Sequence, residues 1–420
     1  MKVLIVGGGG REHTIAWKLA QSPLVDELYA APGNGGIAKI AKCVPISATD
    51  IDGIVKFATE NSIDLTFVAP DDPLVLGMVD ALEAKGLKAF GPRKNAAIIE
   101  GSKVFSKELM KKYKIPTAEY EVFTNSTEAI EYIKDKTCPI VIKAEGLALG
   151  KGVIIAQTHD EAKKAICDMM DNKQFGDAGN RIVIEEFLSG PEISVLAFTD
   201  GKTIKPMVSA QDHKRAYDGD KGLNTGGMGT FSPSRIYTPE LADICMNEVF
   251  VPTMEAMNIE GRTFQGVLYF GLMLTQNGIR VIEYNCRFGD PETQVVLPRL
   301  KTDFAKILLA IVDEKLDEID IEWYDNAAVC VVMASGGYPQ KYEKGYKITG
   351  IDEACKEDNI TVFHAGTKID DAGDFITSGG RVIGVTAASD NLDAAIKDAY
   401  NAVAKINFKD AHYRKDIGIK

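Results

Sequence analysis

Glu283 and Asn285 stand two residues apart in a short apolar run, residues 281–284, that reads as a strand. Alternate strand residues point to the same side, so a carboxylate and an amide oxygen can reach one site. That pair suits a hard divalent cation such as Mg²⁺, which keeps some waters and takes its remaining oxygens from substrate phosphates. Arg287 follows at once, with a planar guanidinium fork matched to a phosphate. Gly289-Asp290-Pro291-Glu292 then places two more acids in a tight turn. A strand end running into a solvated acidic turn accounts for Glu-x-Asn alone, but not for Arg287 and the turn as well.

Upstream, Lys143 closes the apolar run 138–142, where a buried lysine demands a partner. It leads into the loop Ala144-Glu145-Gly146-Leu147-Ala148-Leu149-Gly150-Lys151-Gly152, followed by a second apolar run, 153–156. Two strands joined by such a loop make a hairpin flap able to fold over phosphates. The loop is not a P-loop. Gly150 and Lys151 supply that motif's central pair, but Glu145 stands where its first glycine belongs and Gly152 where its metal-binding hydroxyl belongs. Residues 181–188, which include Glu185, Glu186, Phe187 and Leu188, read as a strand that turns at Ser189-Gly190-Pro191-Glu192 into the strand 193–198. This hinge could offer backbone groups to an adenine edge and Glu192 to ribose hydroxyls; an ordinary hairpin with exposed acids is the competing reading. Residues 211–215 and 224–229 read as polar and glycine-rich loops too long for simple hairpins.

The elements that must position these groups are those of an α/β protein. Strand 2–6 runs into Gly7-Gly8-Gly9-Gly10 and then a helix with apolar Ile15, Ala16, Leu19 and Ala20. Glycines between a strand and a helix N-terminus let backbone N–H groups hold a phosphate. The nicotinamide-cofactor fingerprint fails here, because His13 replaces its third glycine and strand 28–31 ends without the ribose-binding acid. That strand runs instead into Pro32-Gly33-Asn34-Gly35-Gly36. Further units follow at 65–69, leading into Pro70-Asp71-Asp72-Pro73, and at 89–92, so loops gather at the carboxyl ends of parallel strands, where such sheets bind ligands. Ser102 is placed to cap a helix carrying Lys103, Phe105, Leu109 and Met110. Residues 266–275 and 278–284 pair as the hairpin that delivers Glu283 and Asn285. A helix at 303–311 and a compositional break at 316–322 precede a last α/β segment, with strands 327–333, 361–364 and 381–386 and a helix 392–406. It holds few clustered functional groups and reads as mainly structural, closing one side of the site.

At 420 residues, the chain is long enough for about three domains. A net charge of −12 argues against a broad nucleic-acid or anionic-membrane surface, while leaving room for a local basic pocket. The seven cysteines are scattered without a Cys-x-x-Cys, as in a reduced cytoplasmic protein, and the five histidines form no zinc-like cluster. No signal peptide or long apolar span is present.

Lys103, Lys143, the 146–152 flap, the 185–188 hinge with Glu192, and Glu283/Asn285 come in the order seen in ATP-grasp enzymes. Within them, Gly7-Gly-Gly-Gly-Arg-Glu-His13, Gly33-Asn-Gly-Gly36, the 143–152 segment, Gln211-Asp-His-Lys-Arg215, Asn224-Thr-Gly-Gly-Met-Gly229 and Arg287-Phe-Gly-Asp-Pro-Glu-Thr-Gln294 resemble the phosphoribosylamine–glycine ligase (glycinamide ribonucleotide synthetase) family across essentially the whole chain. Two departures stand out: Ala69-Pro70-Asp71-Asp72-Pro73 replaces the usual Gly-Pro-Glu-x-Pro, and Glu145 replaces a usual Asp. The resemblance implies an N-terminal substrate-binding domain (1–102), an ATP-grasp small subdomain with the flap (103–192), a main subdomain with the metal site (193–315) and a C-terminal domain (326–420). It implies a monofunctional, bacterial-type, cytoplasmic enzyme, a monomer using ATP and Mg²⁺ or Mn²⁺ to join glycine to 5-phosphoribosylamine through a glycyl phosphate. Lys103, Lys143, Gly150, Lys151, Gly152, Glu185, Glu186, Phe187, Leu188 and Glu192 would bind ATP, and Glu283 and Asn285 the metal. Gly9, Gly10, Arg11, Asn34, Gly35, Asp71 and Lys214 would bind the amino-sugar substrate, with Lys143 and Arg287 catalytic. Asp212, Asp290 and Glu292 stand as unranked candidates for the acid that meets glycine's ammonium. ADP release that depends on the acceptor separates this reading from another ATP-grasp ligase or carboxylase, and turnover separates it from a nucleotide sensor.

Overall fold

The computed structural model describes residues 1–147 and 152–419. A five-stranded parallel sheet comes first, in the order Lys42–Cys43, Glu27–Pro32, Lys2–Gly7, Leu65–Val68, Ala89–Phe90. Val3, Leu4, Ile5 and Val6 are all fully buried, the unbroken apolar run of a strand covered on both faces. Helix Gly10–Leu19 starts directly after its glycines. Helices Lys94–Gly101 and Lys103–Lys112 leave this unit, and Ser102 caps the second as its position in the sequence suggests, its Oγ accepting from the Phe105 N–H at 3.0 Å.

A four-stranded antiparallel sheet follows, Tyr120–Phe123, Ile182–Glu186, Ile140–Ala144, Val153–Ala156, with its own apolar core under helices Ser126–Ile133 and His159–Ile166. The flap hairpin is the Ile140–Ala144/Val153–Ala156 pair; Gly150 and Lys151 lie outside the described residues. A second four-stranded sheet holds Ile204–Pro206, Glu192–Thr199, Gly266–Thr275 and Gly278–Asn285. Strands Ile182–Glu186 and Glu192–Thr199, expected to turn back on one another, therefore belong to different sheets. The link between them passes across the end of Gly266–Thr275. A Cβ on Gly190 would stand 2.1 Å from the Leu274 carbonyl oxygen, and the Leu274 N–H donates to the Pro191 carbonyl at 3.1 Å.

The last sheet has five strands, Gln211–Asp212, Gly229–Ser232, Ala327–Ala334, Arg381–Ser389 and Ile360–His364, packed under helix Leu392–Val403. Segments 211–215 and 224–229, read from the sequence as loops, thus supply the edge strand of the C-terminal sheet at Gln211–Asp212 and the start of its neighbour at Gly229, while Arg215 and Asn224 pair in a separate two-stranded ribbon. The alternation that marks a strand is too short to see in either. A small hairpin, Thr367–Ile369 with Phe375–Thr377, was also not foreseen. Among the described residues, no helix is long and apolar enough to cross a membrane.

The first and last units meet at a pair of buried histidines. The His364 N–H donates to His13 Nδ1 at 2.7 Å, and the rings lie 5.5 Å apart. Burial, then the neighbouring His364, lowers the His13 pKa to about 3, and burial lowers that of His364 to about 4. A histidine with a depressed folded-state pKa resists protonation, so its stability contribution is whole above the unfolded value near 6.5 and is lost as pH falls towards the folded value. At pH 5 the expected loss is about 2 kcal/mol for each ring. Thermal melting between pH 7.5 and 4.5 should show an acid-side fall that is visibly smaller in His13→Gln; identical pH profiles would clear the histidine pair of this role.

Candidate active site

Hairpin Gly266–Thr275/Gly278–Asn285 carries a bulge, with Gly271 opposite Glu283 and Leu272 opposite Val281. Past the bulge the alternation runs from Glu283 to Asn285, which places both on one side of the strand. Burial alone would raise the Glu283 pKa, but Lys214, Lys143, Lys103 and Arg287 outweigh it and hold the carboxyl below its usual value. Lys214 Nζ lies 3.6 Å from Glu283 and 3.1 Å from Glu192, so it bridges the expected metal and ribose positions. Glu192 first, and then Glu283 against the cost of burial, raises the Lys214 pKa well above normal. Asn285 donates its Nδ2 to the Tyr284 carbonyl at 2.9 Å, which leaves the amide oxygen as the end free to meet a cation. No three His, Cys, Asp or Glu side chains converge as a metal cage among the described residues. One carboxylate and one amide oxygen are the donor set of a cation that completes its shell with water and phosphate oxygens.

Lys143 is 5% exposed, and its partner is Glu185, with Nζ 2.9 Å from Oε1; it also donates to the Ile282 carbonyl at 3.2 Å. Lys103 donates to the Gly146 carbonyl at 2.8 Å, at the base of the flap, and burial lowers its pKa against the pull of Glu283. Glu145, the residue that departs from the family pattern, is held by Ser102 and Arg181. Of the expected hinge residues only Glu185 is buried. Glu186 turns outward to accept from the Glu119 N–H at 2.9 Å, Phe187 is 40% exposed, and Leu188 is half-buried. Sequence reading missed Lys107. It is 2% exposed, 2.9 Å from Glu185 Oε2, and donates to Thr117 Oγ1 at 2.8 Å. The available signal was its place one helical turn after Lys103, on the same face.

The acids divide by partner. Asp290 Oδ2 is 3.2 Å from Arg381, which also donates to the Asp290 and Gly226 carbonyls at 2.7 Å each. Burial would raise the Asp290 pKa, but Arg381, Arg11, a hydrogen bond from Gln294 and Arg287 bring it below normal. Asp212 behaves oppositely: burial, and then the Glu292 carboxylate, push its pKa well up. Glu292 is buried and accepts from Ser194 Oγ and Tyr269 Oη at 3.1 Å each. Arg381 comes from the C-terminal segment, which the sequence had marked as mainly structural.

On the parallel sheet's side, Gly10 comes so close to the acidic turn that a Cβ there would stand 2.6 Å from Gln294 Nε2. Arg11 donates to Glu12 and to the Phe288 carbonyl at 2.7 and 3.0 Å, and the Gly9 N–H donates to Glu12 at 2.6 Å. Asn34 and Gly35, expected to offer donors to a ligand, use them within the protein. The Asn34 amide reaches the Gly8 and His364 carbonyls at 2.9 and 2.8 Å, and the Gly35 N–H reaches Thr367. Asp71 lies 3.9 Å from Arg287 Nη2, while Glu100 binds the same nitrogen at 2.7 Å. Although burial disfavours the guanidinium, Glu100 and Asp71 raise the Arg287 pKa. Its Nε is buried and bonds nothing among the described residues.

Family models described as phosphoribosylglycinamide synthetase match in three consecutive pieces: the N domain over residues 1–100, the ATP-grasp (A) domain over 101–293 and the C domain over 328–420. A phosphoribosylamine–glycine ligase of Halalkalibacterium halodurans is 51% identical, with 100% of this chain and 97% of that protein covered. One of Clostridium acetobutylicum is 50% identical, with 100% and 99% covered. Among solved structures, the phosphoribosylamine–glycine ligase of Thermotoga maritima superposes with a TM-score of 0.87 at 34% identity, covering 99% of this chain and 100% of that one. The biotin carboxylase domain of Hydrogenobacter thermophilus 2-oxoglutarate carboxylase gives 0.74 at 16% identity over 98% and 91%, a likeness of fold alone.

Arg381→Met would leave the half-buried Asp290 carboxylate without its ion-pair partner, a loss of about 1–3 kcal/mol in urea unfolding, between the scales of exposed and buried pairs. Arg381→Met combined with Asp290→Asn should recover a good part of it. A double variant no more stable than the single one would show that the pair does not act as a unit.

Proposed function

The chain belongs to the phosphoribosylglycinamide synthetase family along its whole length, and from that premise we propose how its own residues carry the family's reaction. It is an ATP-dependent ligase of purine biosynthesis that joins glycine to 5-phosphoribosylamine, giving glycinamide ribonucleotide, ADP and phosphate. In the proposed sequence an oxygen of glycine's carboxylate attacks the γ-phosphorus of ATP and ADP leaves. The amine of phosphoribosylamine then attacks the acyl carbon of the glycyl phosphate, and phosphate departs as the amine loses a proton.

The observation that carries this reading is the convergence of Lys103, Lys143, Lys214 and Arg287 on the Glu283 carboxylate. So much positive charge around one acid suits a place where a triphosphate and a carboxylate must approach each other. Lys103 and Lys143 would hold phosphate oxygens, and Arg287, whose Nε bonds nothing among the described residues, the transferring or departing phosphate. Mg²⁺ or Mn²⁺ held by Glu283 and Asn285 would neutralise phosphate charge and polarise the γ-phosphoryl group. Residues 146–152, including Gly150, Lys151 and Gly152, would close over the site, because an acyl phosphate hydrolyses in water. Residues 185–188 would meet adenine and Glu192 the ribose.

For glycine's ammonium we favour Asp212 and Glu292. Asp290 already has Arg381, whereas the half-buried Asp212 and the buried Glu292 carboxylates repel one another, a repulsion that a bound cation relieves. For the sugar phosphate, Gly10 and Arg11 remain the direct candidates. Asn34, Gly9 and Gly35 would shape that loop, since their donors serve the protein. Asp71 would act through Arg287. The reading includes a cytoplasmic monomer.

ADP release should require glycine and phosphoribosylamine together, the latter made in situ from ribose 5-phosphate and ammonia. Release indifferent to the amine would reassign the acceptor. Glu283→Ala and Lys143→Met should each lower turnover about 10²–10³-fold, the scale of one lost transition-state electrostatic contact; near-normal turnover of Glu283→Ala with Mg²⁺ would refute the metal assignment. Asp212→Asn should raise the KM for glycine about tenfold while sparing that for ATP, the scale of one lost charge-assisted hydrogen bond. A change confined to ATP would move the ammonium site elsewhere.

A further inference from the structure

Glu185 is 4% exposed and lies between two ammonium groups, Lys143 at 2.9 Å from Oε1 and Lys107 at 2.9 Å from Oε2. The two lysines face different neighbours. Lys143 reaches strand Gly278–Asn285 through the Ile282 carbonyl at 3.2 Å, next to Glu283 and so on the side of the phosphates. Lys107 points away from it. Its ammonium donates to Thr117 Oγ1 at 2.8 Å and sits over the Tyr120 ring at 5.7 Å, while Thr117 donates to the Val281 carbonyl at 2.7 Å. Lys107 is thus tied to the back of the same strand and cannot turn to a ligand without breaking these contacts.

Glu185 Oε1, although beside Lys143, accepts no hydrogen bond among the described residues. It is also the last buried oxygen before the exposed connection 186–192 that runs past the expected adenine position. A carboxylate oxygen there accepts from the exocyclic amine of adenine, whereas guanine presents a carbonyl oxygen at the same ring position and would be repelled. If Lys143 turns to the phosphates, Glu185 loses one cation on the arrival of the ligand it must read. A buried carboxylate left without a cation is strongly destabilised, so the second cation decides whether Glu185 stays in place.

We propose that Lys107 is the positioning residue for adenine recognition: it holds Glu185 and balances its charge while Lys143 exchanges Glu185 for phosphate. The proposal rests on the ATP reading of the site. Lys107 touches neither nucleotide nor reacting atoms and acts only through Glu185.

Calorimetric titration of the full chain with Mg-ATP and Mg-GTP tests this. Lys107→Met should weaken ATP binding about tenfold and GTP binding less than about twofold, the scale of one charge-assisted hydrogen bond lost for adenine alone. In a Glu185→Gln background the same substitution should change ATP binding by less than about twofold, as coupling through one residue requires. Equal weakening of both nucleotides, an unchanged preference for ATP, or an undiminished effect in the Glu185→Gln background overturns the proposal. Should Lys107→Met melt below the assay temperature, Lys107→Gln replaces it under the same criteria. Wild-type protein that binds neither nucleotide overturns the ATP reading and this proposal together, whereas wild-type selectivity that the Lys107 variant retains overturns this proposal alone.

Discussion

The half-buried side chain of Arg287 fixes the centre of the molecule. Its Nη2 binds Glu100 Oε1 at 2.7 Å and stands 3.9 Å from Asp71, while the other Glu100 oxygen accepts the Cys286 N–H at 2.7 Å. One carboxylate therefore holds both the side chain and the backbone just past strand Gly278–Asn285. Removing one member of such a buried pair leaves the other uncompensated, at a cost of about 3–5 kcal/mol, so the arrangement does not slip gradually. Helices Asp71–Leu76 and Lys94–Gly101 are tied by it to the end of the strand. Glu283 and Asn285 lie just before the tie and Asp290 and Glu292 just after it. Their positions relative to the parallel sheet and its glycine loop follow from where Arg287 is held.

Around that centre, acids and bases alternate. Lys107, Glu185 and Lys143 form one chain, Glu192, Lys214 and Glu283 another, and Arg381 pairs with Asp290. A chain of net charge −12 can hold a cationic pocket because Lys107, Lys143, Lys214, Arg287 and Arg381 each rest on a carboxylate, while Lys103 rests on the Gly146 carbonyl. Binding an anion is then an exchange of partners, which avoids leaving bare cations buried in the empty site. Asp212 and Glu292 break the alternation. Beyond the effect of burial, Glu292 raises the Asp212 pKa more than either Lys214 or Arg381 lowers it, and that irregularity separates the two acids from Asp290, whose pKa is held down.

Signals confined to a few residues were legible in the sequence. The Glu283-x-Asn285 spacing needed only the alternation of a strand, Ser102 only the chemistry of a helix cap, and Lys143 only the rule that a lysine ending an apolar run must find a partner. What stayed hidden depends on contacts across the chain. Arg381 meets the Asp290 carbonyl from 91 residues away, and its own surroundings, an ordinary strand start, say nothing of it. The apolar pattern of 182–198 is the same whether its strands pair or part, and only the approach of the chain to Leu274 at Gly190 decides. Asn34 shows the opposite error: an asparagine among glycines looks the same whether its amide serves a ligand or the carbonyls of Gly8 and His364.

The C-terminal segment follows the same logic. Strands Gln211–Asp212 and Gly229–Ser232 continue its sheet, so Asp212 is positioned by hydrogen bonds that begin in a different part of the chain from its neighbours in the site. Arg381 fixes the Gly226 carbonyl and the Asp290 carbonyl together, and Tyr338 accepts from the Gly226 N–H at 3.1 Å. The glycine-rich segment 224–229 is held from two sides, since Thr225 and Met228 also donate backbone N–H groups to the Lys214 and His213 carbonyls at 2.8 Å each. The C-terminal unit thus fixes its Gly226 end, and residues 213–214 fix Thr225 and Met228. A chain lacking that unit would keep the metal-side residues on their hairpin but would leave Asp290 without its cation and Asp212 without its strand. Gly10, Asp212 and Arg381 meet the acidic turn only when the parallel sheet, the central sheets and the C-terminal sheet have all closed on it.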